Sequence, residues 1–279
     1  MKKQEAERLI QPVKARLIKE FPQYAARIEE TSVFLISSQN KLEKRNQIAS
    51  EIGAGLKNEV NKTAGESLIG PEQAAVVMYY QAVQAKDFRH FMLHEFGHIL
   101  SYYASKELFY EAEKDGELDR DTPIRNGMAV WSELIAEVIA YRTDDGLPYN
   151  SLIEANARIE SYMDQAVNSG YFDPYWFAFY CAMFFEDPII IDYSIKHEYA
   201  AIGANHCDDE ILPLIQAALS IIADQLDKEE YWSIDRQTLY KLGNCVDDLW
   251  EYCAQKQRTM VLKLFTDRLR RNAEEDDGM

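Results

Sequence analysis

Apolar residues recur at three- and four-residue spacing along most of the chain, the period of an amphipathic helix packed on a core. Residues 5–29 repeat at Leu9, Val13, Leu17 and Ile18 and are broken at Pro22, which predicts one or two N-terminal helices. The same period predicts helices over 86–105, 128–142, 151–168, 174–185, 208–227 and 235–272. Two short β-branched and aromatic runs, Thr31 to Ser37 and Ala75 to Tyr80, read instead as strands. The acidic stretch Glu111 to Gly127 predicts a surface loop or a pair of turns, and Asp145-Gly146-Leu147-Pro148 a turn. The expected fold is therefore mainly α with a small β-sheet, an α+β arrangement of two lobes around a cleft. Residues 1–145 would form an α+β N-terminal lobe and residues 146–279 a helical C-terminal one.

Composition narrows the function. With 279 residues, 47% of them hydrophobic, about three quarters of the extended chain's surface can be buried, so neither metal nor disulfide is needed merely to hold the fold. The balance of 30 basic against 47 acidic residues leaves a net charge of −17, which repels phosphate backbones and anionic lipid, so no direct nucleic-acid role is expected. The longest apolar run, Tyr175 to Phe185, is too short to span a bilayer and reads as a buried helix. The start, Met1-Lys2-Lys3-Gln4-Glu5, lacks the apolar stretch of a secretory signal, and four cysteines far apart suit free thiols. A cytoplasmic protein is the expectation.

The candidate chemistry sits in Phe91-Met92-Leu93-His94-Glu95-Phe96-Gly97-His98-Ile99-Leu100. Two imidazoles at i and i+4 share one helical face and can hold one metal ion together. Glu95 lies about 100° around the helix from His94, beside such an ion instead of on it, which suits a general base. Gly97 costs about 1 kcal/mol of helix propensity, and a close approach by another backbone would account for it. His90 is poorly placed as a further ligand, because eight helical residues separate His90 and His98 by about 12 Å; it is expected to face solvent or to hydrogen-bond near the site. His206 beside Cys207 has no second pair to complete a site.

A third ligand is expected 35 residues after His98, in Trp131-Ser132-Glu133-Leu134-Ile135-Ala136-Glu137. Glu133 and Glu137 lie on one stripe of an otherwise apolar helix, where two carboxylates are costly unless a cation or donors face them. Glu133 would complete a His₂Glu zinc site, and Glu137 would accept the second ring proton of a ligand imidazole. Salt bridges from these carboxylates to Arg125 or Arg142 are the alternative.

Read together, these residues resemble the gluzincin class of zinc metallopeptidases over about residues 75–142. His94-Glu95-Phe96-Gly97-His98 followed by Glu133-x-x-Ala136-Glu137 is similar to the arrangement in the anthrax lethal factor catalytic domain. A related element occurs in IrrE/ImmA-type peptidases and in the zincin domain of plasmid antirestriction proteins. The resemblance implies one Zn²⁺ held by His94, His98 and Glu133, with Glu95 as catalytic base acting on a peptide or protein substrate. Such enzymes add a Tyr or His that donates to the developing oxyanion, yet the corresponding position before the ligand Glu is Asn126. His197 is the favoured substitute, with Tyr141, Tyr102 and Tyr103 as others. The 17 tyrosines and Trp131, Trp176, Trp232 and Trp250 offer lining for a peptide groove, although aromatic residues at helical spacing are expected chiefly in the core. Two other readings remain open: a non-enzymatic zincin-like acidic protein that binds a partner, even as a mimic of DNA charge, and a di-metal carboxylate site.

Overall fold

The computed structural model describes residues 1–37, 39–59, 64–118, 122–144, 152–185 and 210–276. It is mainly helical with a small three-stranded sheet. The first helical pattern forms α1 (Lys3–Glu20), a 3-10 turn at Pro22–Tyr24 and α2 (Ala25–Glu30). Pro22 produces the break, because its ring fixes φ and removes a backbone donor. The two expected strands appear as β1 (Ser32–Leu35) and β3 (Ala74–Met78). Between them lie α3 (Lys41–Ile52) and an additional strand, β2 (Gly65–Ile69).

The strand order is β1-β3-β2, with β1 parallel and β2 antiparallel to β3. Every residue of β3 is buried, as a central strand covered on both faces requires. Strand β2 is therefore an edge, and α4 (Ala85–Ala104) packs beside it. Arg45 on α3, itself buried, donates two hydrogen bonds to Glu66 of this strand, from Nη2 at 2.8 Å and Nε at 3.2 Å, and Lys57 approaches the same carboxylate at 2.6 Å. Burial opposes ionisation of Glu66, but these cations outweigh it and hold its pKa below the usual carboxylate value.

Helix α4 leads into α5 (Lys106–Lys114) and then α6 (Pro123–Thr143). The expected loop from Glu111 to Gly127 is thus shorter than its composition suggested. Its acidic beginning completes α5, and its end is the first turn of α6, where Thr122 caps Arg125 N–H and Pro123 occupies the first helical position. Helices α7 (Leu152–Ser169), α8 (Pro174–Ala182), α9 (Leu212–Leu226) and α10 (Arg236–Asp276) follow.

Helix α6 is the hub: it packs against α4, α8 and α10. One buried cluster runs from Ala6 on α1 through Phe96, Trp131 and Ile135 to Cys253 on α10. Of the tryptophans, Trp131 is buried and Trp232 packs edge-on against Phe21, but Trp176 and Trp250 are exposed. The expectation of a wholly buried helix after Tyr175 also needs correction. Phe177, Ala178, Cys181 and Ala182 are in the core, whereas Tyr175 and Trp176 in the first turn are exposed. Among the described residues, no helix is long and apolar enough to cross a membrane.

Candidate metal centre

Two helices build the site. His94 and His98 project from one face of α4, and Glu133 projects toward them from α6. What allows the helices to meet is Gly97: a Cβ there would stand 2.7 Å from the Cα of Ala136 and 3.0 Å from its carbonyl oxygen. Only a residue without a Cβ permits this contact, which is the close backbone approach the sequence implied.

The Nε2 atoms of His94 and His98 lie 3.1 Å apart. A carboxylate oxygen of Glu133 lies 3.5 Å from each: Oε2 from His94 and Oε1 from His98. Tetrahedral zinc with bonds of about 2.0–2.1 Å needs neighbouring donors roughly 3.3–3.4 Å apart; the imidazole pair stands near that edge, and Glu133 reaches each imidazole with a different oxygen, one donor atom from each residue lying within 4.8 Å of the others. Among the described residues, this trio is the one group of His, Cys, Asp or Glu donors converging closely enough to hold an ion.

The remaining ring nitrogens are held as zinc ligation requires. His94 Nδ1–H donates to Glu137 Oε2 at 2.8 Å, and with Nε2 turned to an ion, His98 Nδ1–H donates to Ser132 Oγ at 2.9 Å. Glu137 also accepts from His90 Nε2–H at 3.0 Å on its other oxygen. Of the two places expected for it, His90 takes the one beside the site, buried and one step beyond the donor trio, and does not face solvent. The Tyr141 ring lies against it, with centroids 4.6 Å apart. Burial opposes charge on Glu137, but the bonds from His90 and His94 prevail and lower its pKa to about 2. In the metal-free site, burial likewise opposes charge on His94, while Glu133 and Glu137 outweigh it and raise its pKa well above 6.5. His98, desolvated and facing the charge on His94, is pushed down to about 4.

Glu95 stands outside the donor trio. Its side chain lies under strand β2, where the absence of a Cβ at Gly65 leaves room for it, and it accepts a hydrogen bond from the Ser67 backbone N–H. Burial raises its pKa to about 7, against the lowering effect of His94. A buried carboxylate that titrates near neutrality, beside a metal-donor set, is equipped to take and return a proton.

A cavity of about 350 Å³ lies over these groups, walled by Gly65, Glu66 and Ser67 of β2, by Ser132 of α6 and by Tyr175 of α8. Tyr175 was not among the tyrosines singled out from the sequence. Burial, together with the negative charges of Glu133, Glu95 and Glu137, raises its pKa, so its hydroxyl remains a donor. Tyr102 stacks on Phe109, and Tyr103 lies under the Arg27 guanidinium, so both rings are engaged elsewhere. Asn126 donates to Asp247 on α10 instead of facing the donors. His197, His206 and Cys207 lie outside the described residues. Ser132 and Tyr175 carried no local signal: one is an ordinary serine beside Glu133, the other the first tyrosine of an apolar run that packs against α6.

No protein-family model, no curated protein and no solved structure matches the chain.

Proposed function

We propose that this chain is a zinc-dependent metallopeptidase of the gluzincin type. One observation carries the reading: donor atoms of His94, His98 and Glu133 converge within 4.8 Å of one another while Glu95, buried, stands beside them without joining them. A purely structural zinc site closes its coordination with a fourth protein ligand and has no use for an adjacent free carboxylate. When bound, zinc supplies Lewis acidity, which acidifies water and polarises a peptide carbonyl. Glu95 accepts the proton of the attacking water and delivers it to the departing amine, and the Ser67 N–H keeps its carboxylate aimed. Tyr175, which lines the cavity beside the donors, donates its hydroxyl proton to the oxygen on which negative charge develops. The buried free thiols Cys181 and Cys253 suit a reducing compartment such as the cytoplasm.

The test is elemental analysis of protein purified without chelator or histidine tag, combined with hydrolysis of a mixed peptide library. About one zinc per chain is expected in wild type and in Glu95→Gln, and markedly less in His94→Ala and Glu133→Ala. Hydrolysis by Glu95→Gln should fall at least ~100-fold. A folded wild type that takes up no added zinc, or a Glu95→Gln variant that cleaves as wild type does, would overturn the proposal and favour an acidic binding protein.

A further inference from the structure

A second cavity of about 610 Å³ adjoins the first, sharing Gly65, His94, Glu95 and Tyr175 with it, and reaches Glu137 as well. Its outer wall is aromatic. Phe91 comes from α4, one turn before His94, while Tyr175, Trp176 and Phe179 come from α8. Phe91, Tyr175 and Trp176 are all exposed although large and apolar. Exposed aromatic rings gathered at one cavity beside a reactive group mark a surface meant to be covered. The Trp176 ring meets Tyr175 and Phe179 nearly at right angles, at 83° and 82°, so the wall presents both ring faces and ring edges.

The charge along this wall selects among possible occupants. Glu95, Glu137 and Asp173 line the cavity, and among the described lining residues there is no Lys or Arg. Both oxygens of Glu137 are engaged, by His90 and His94, whereas Asp173 accepts the Tyr175 N–H on Oδ1 alone, so Asp173 and Glu95 are the acidic groups left to face whatever enters. An apolar side chain would desolvate those carboxylates and return nothing. A guanidinium or ammonium offers the opposite charge to Asp173 and lies favourably over the faces of Trp176 and Tyr175, while its aliphatic stem covers Phe91 and Phe179.

We propose that this aromatic and acidic cavity is the specificity pocket of the site and receives a basic side chain, arginine or lysine, next to the bond that is cut. This rests on the metallopeptidase reading, and the experiment separates the two. Three peptide hydroxamates, identical except for Arg, Phe or Glu beside the chelating group, are titrated into the zinc-loaded full chain by calorimetry. Each is made in both chain directions so that the variable side chain can reach either side of the ion. The Arg compound should bind at least tenfold more tightly than the Glu compound and more tightly than the Phe compound. Trp176→Ala, and Asp173→Asn, which keeps the cap of α8, should each weaken the Arg compound about 2- to 30-fold and leave the Glu compound nearly unchanged. Equal binding of all three, tightest binding of Phe, or no selective loss in the variants would overturn the pocket assignment and leave the metal site standing. Binding of none would overturn both.

Discussion

Replacing Gly97 with alanine probes whether contact between α4 and α6 sets the register of the metal donors. The new Cβ would lie 2.7 Å from the Ala136 Cα, whereas packed carbon atoms settle at about 3.5–4.0 Å, so the helices must part by roughly 1 Å along that line. Alanine gains about 1 kcal/mol of helix propensity. Overpacking against backbone costs about 1–3 kcal/mol, so the net loss of stability is about 0–2 kcal/mol. For a chain of this size that lowers Tm by at most about 8 °C. Metal binding should suffer more. Gly97 adjoins His98, and Ala136 sits one turn from Glu133, whereas zinc bond lengths tolerate only about ±0.2 Å. Zinc affinity should therefore fall at least ~10-fold, comparable with the loss of an orienting partner. Thermal melts of the metal-free protein, together with competition against a zinc indicator, measure both quantities. An affinity within twofold of wild type, with Tm unchanged or raised, would refute the argument that this backbone contact positions the donors.

Three further outcomes are expected. Glu137→Ala should weaken zinc binding about 10- to 100-fold in the same competition assay, and His90→Ala should weaken it less, since His90 acts on His94 only through Glu137. Tyr175→Phe should retain its zinc while kcat on a cleaved peptide falls about 10²- to 10³-fold with little change in KM; an unchanged kcat would remove Tyr175 from the chemistry. In the metal-free protein, the folded pKa of Glu95, about 7, lies above its unfolded value. Its stabilising contribution is therefore present below about pH 4.5 and is lost as pH rises through 7. Denaturant titrations across that window should show Glu95→Gln overtaking wild type by about 3 kcal/mol at alkaline pH, and a gap independent of pH would contradict the burial of this carboxylate.

The donor trio was legible because its residue types are expensive where they stand. Imidazoles and carboxylates on otherwise apolar helical stripes demand partners, and His94, His98, Glu133 and Glu137 proved to be partners of one another. Gly97 was legible for a similar reason, since a helix tolerates glycine where something else must come close. Strand β2 was not: Gly65-Glu66-Ser67 is short and polar, and it becomes a strand only through its pairing with β3 and the grip of Arg45 on Glu66. Helix α3 was missed as well, because Lys41 to Ile52 is largely polar and turns few apolar residues inward. Tyr175 and Trp176 were hidden by their company. They begin a run whose later members are buried, and only the docking of α8 on α6 determines that its first turn faces outward over the donors.

The donors come from two helices separated in the chain by α5 and residues 115–122. An ion shared between them can bind only when both helices are docked, so each increment of binding free energy is also an increment of folding free energy. At free zinc a thousandfold above Kd the gain is about 4 kcal/mol, a large part of the roughly 5–15 kcal/mol that holds a typical domain folded. On the metallopeptidase reading, the chain without its ion is less stable by about that amount, so the unfolded fraction open to degradation rises as free zinc falls.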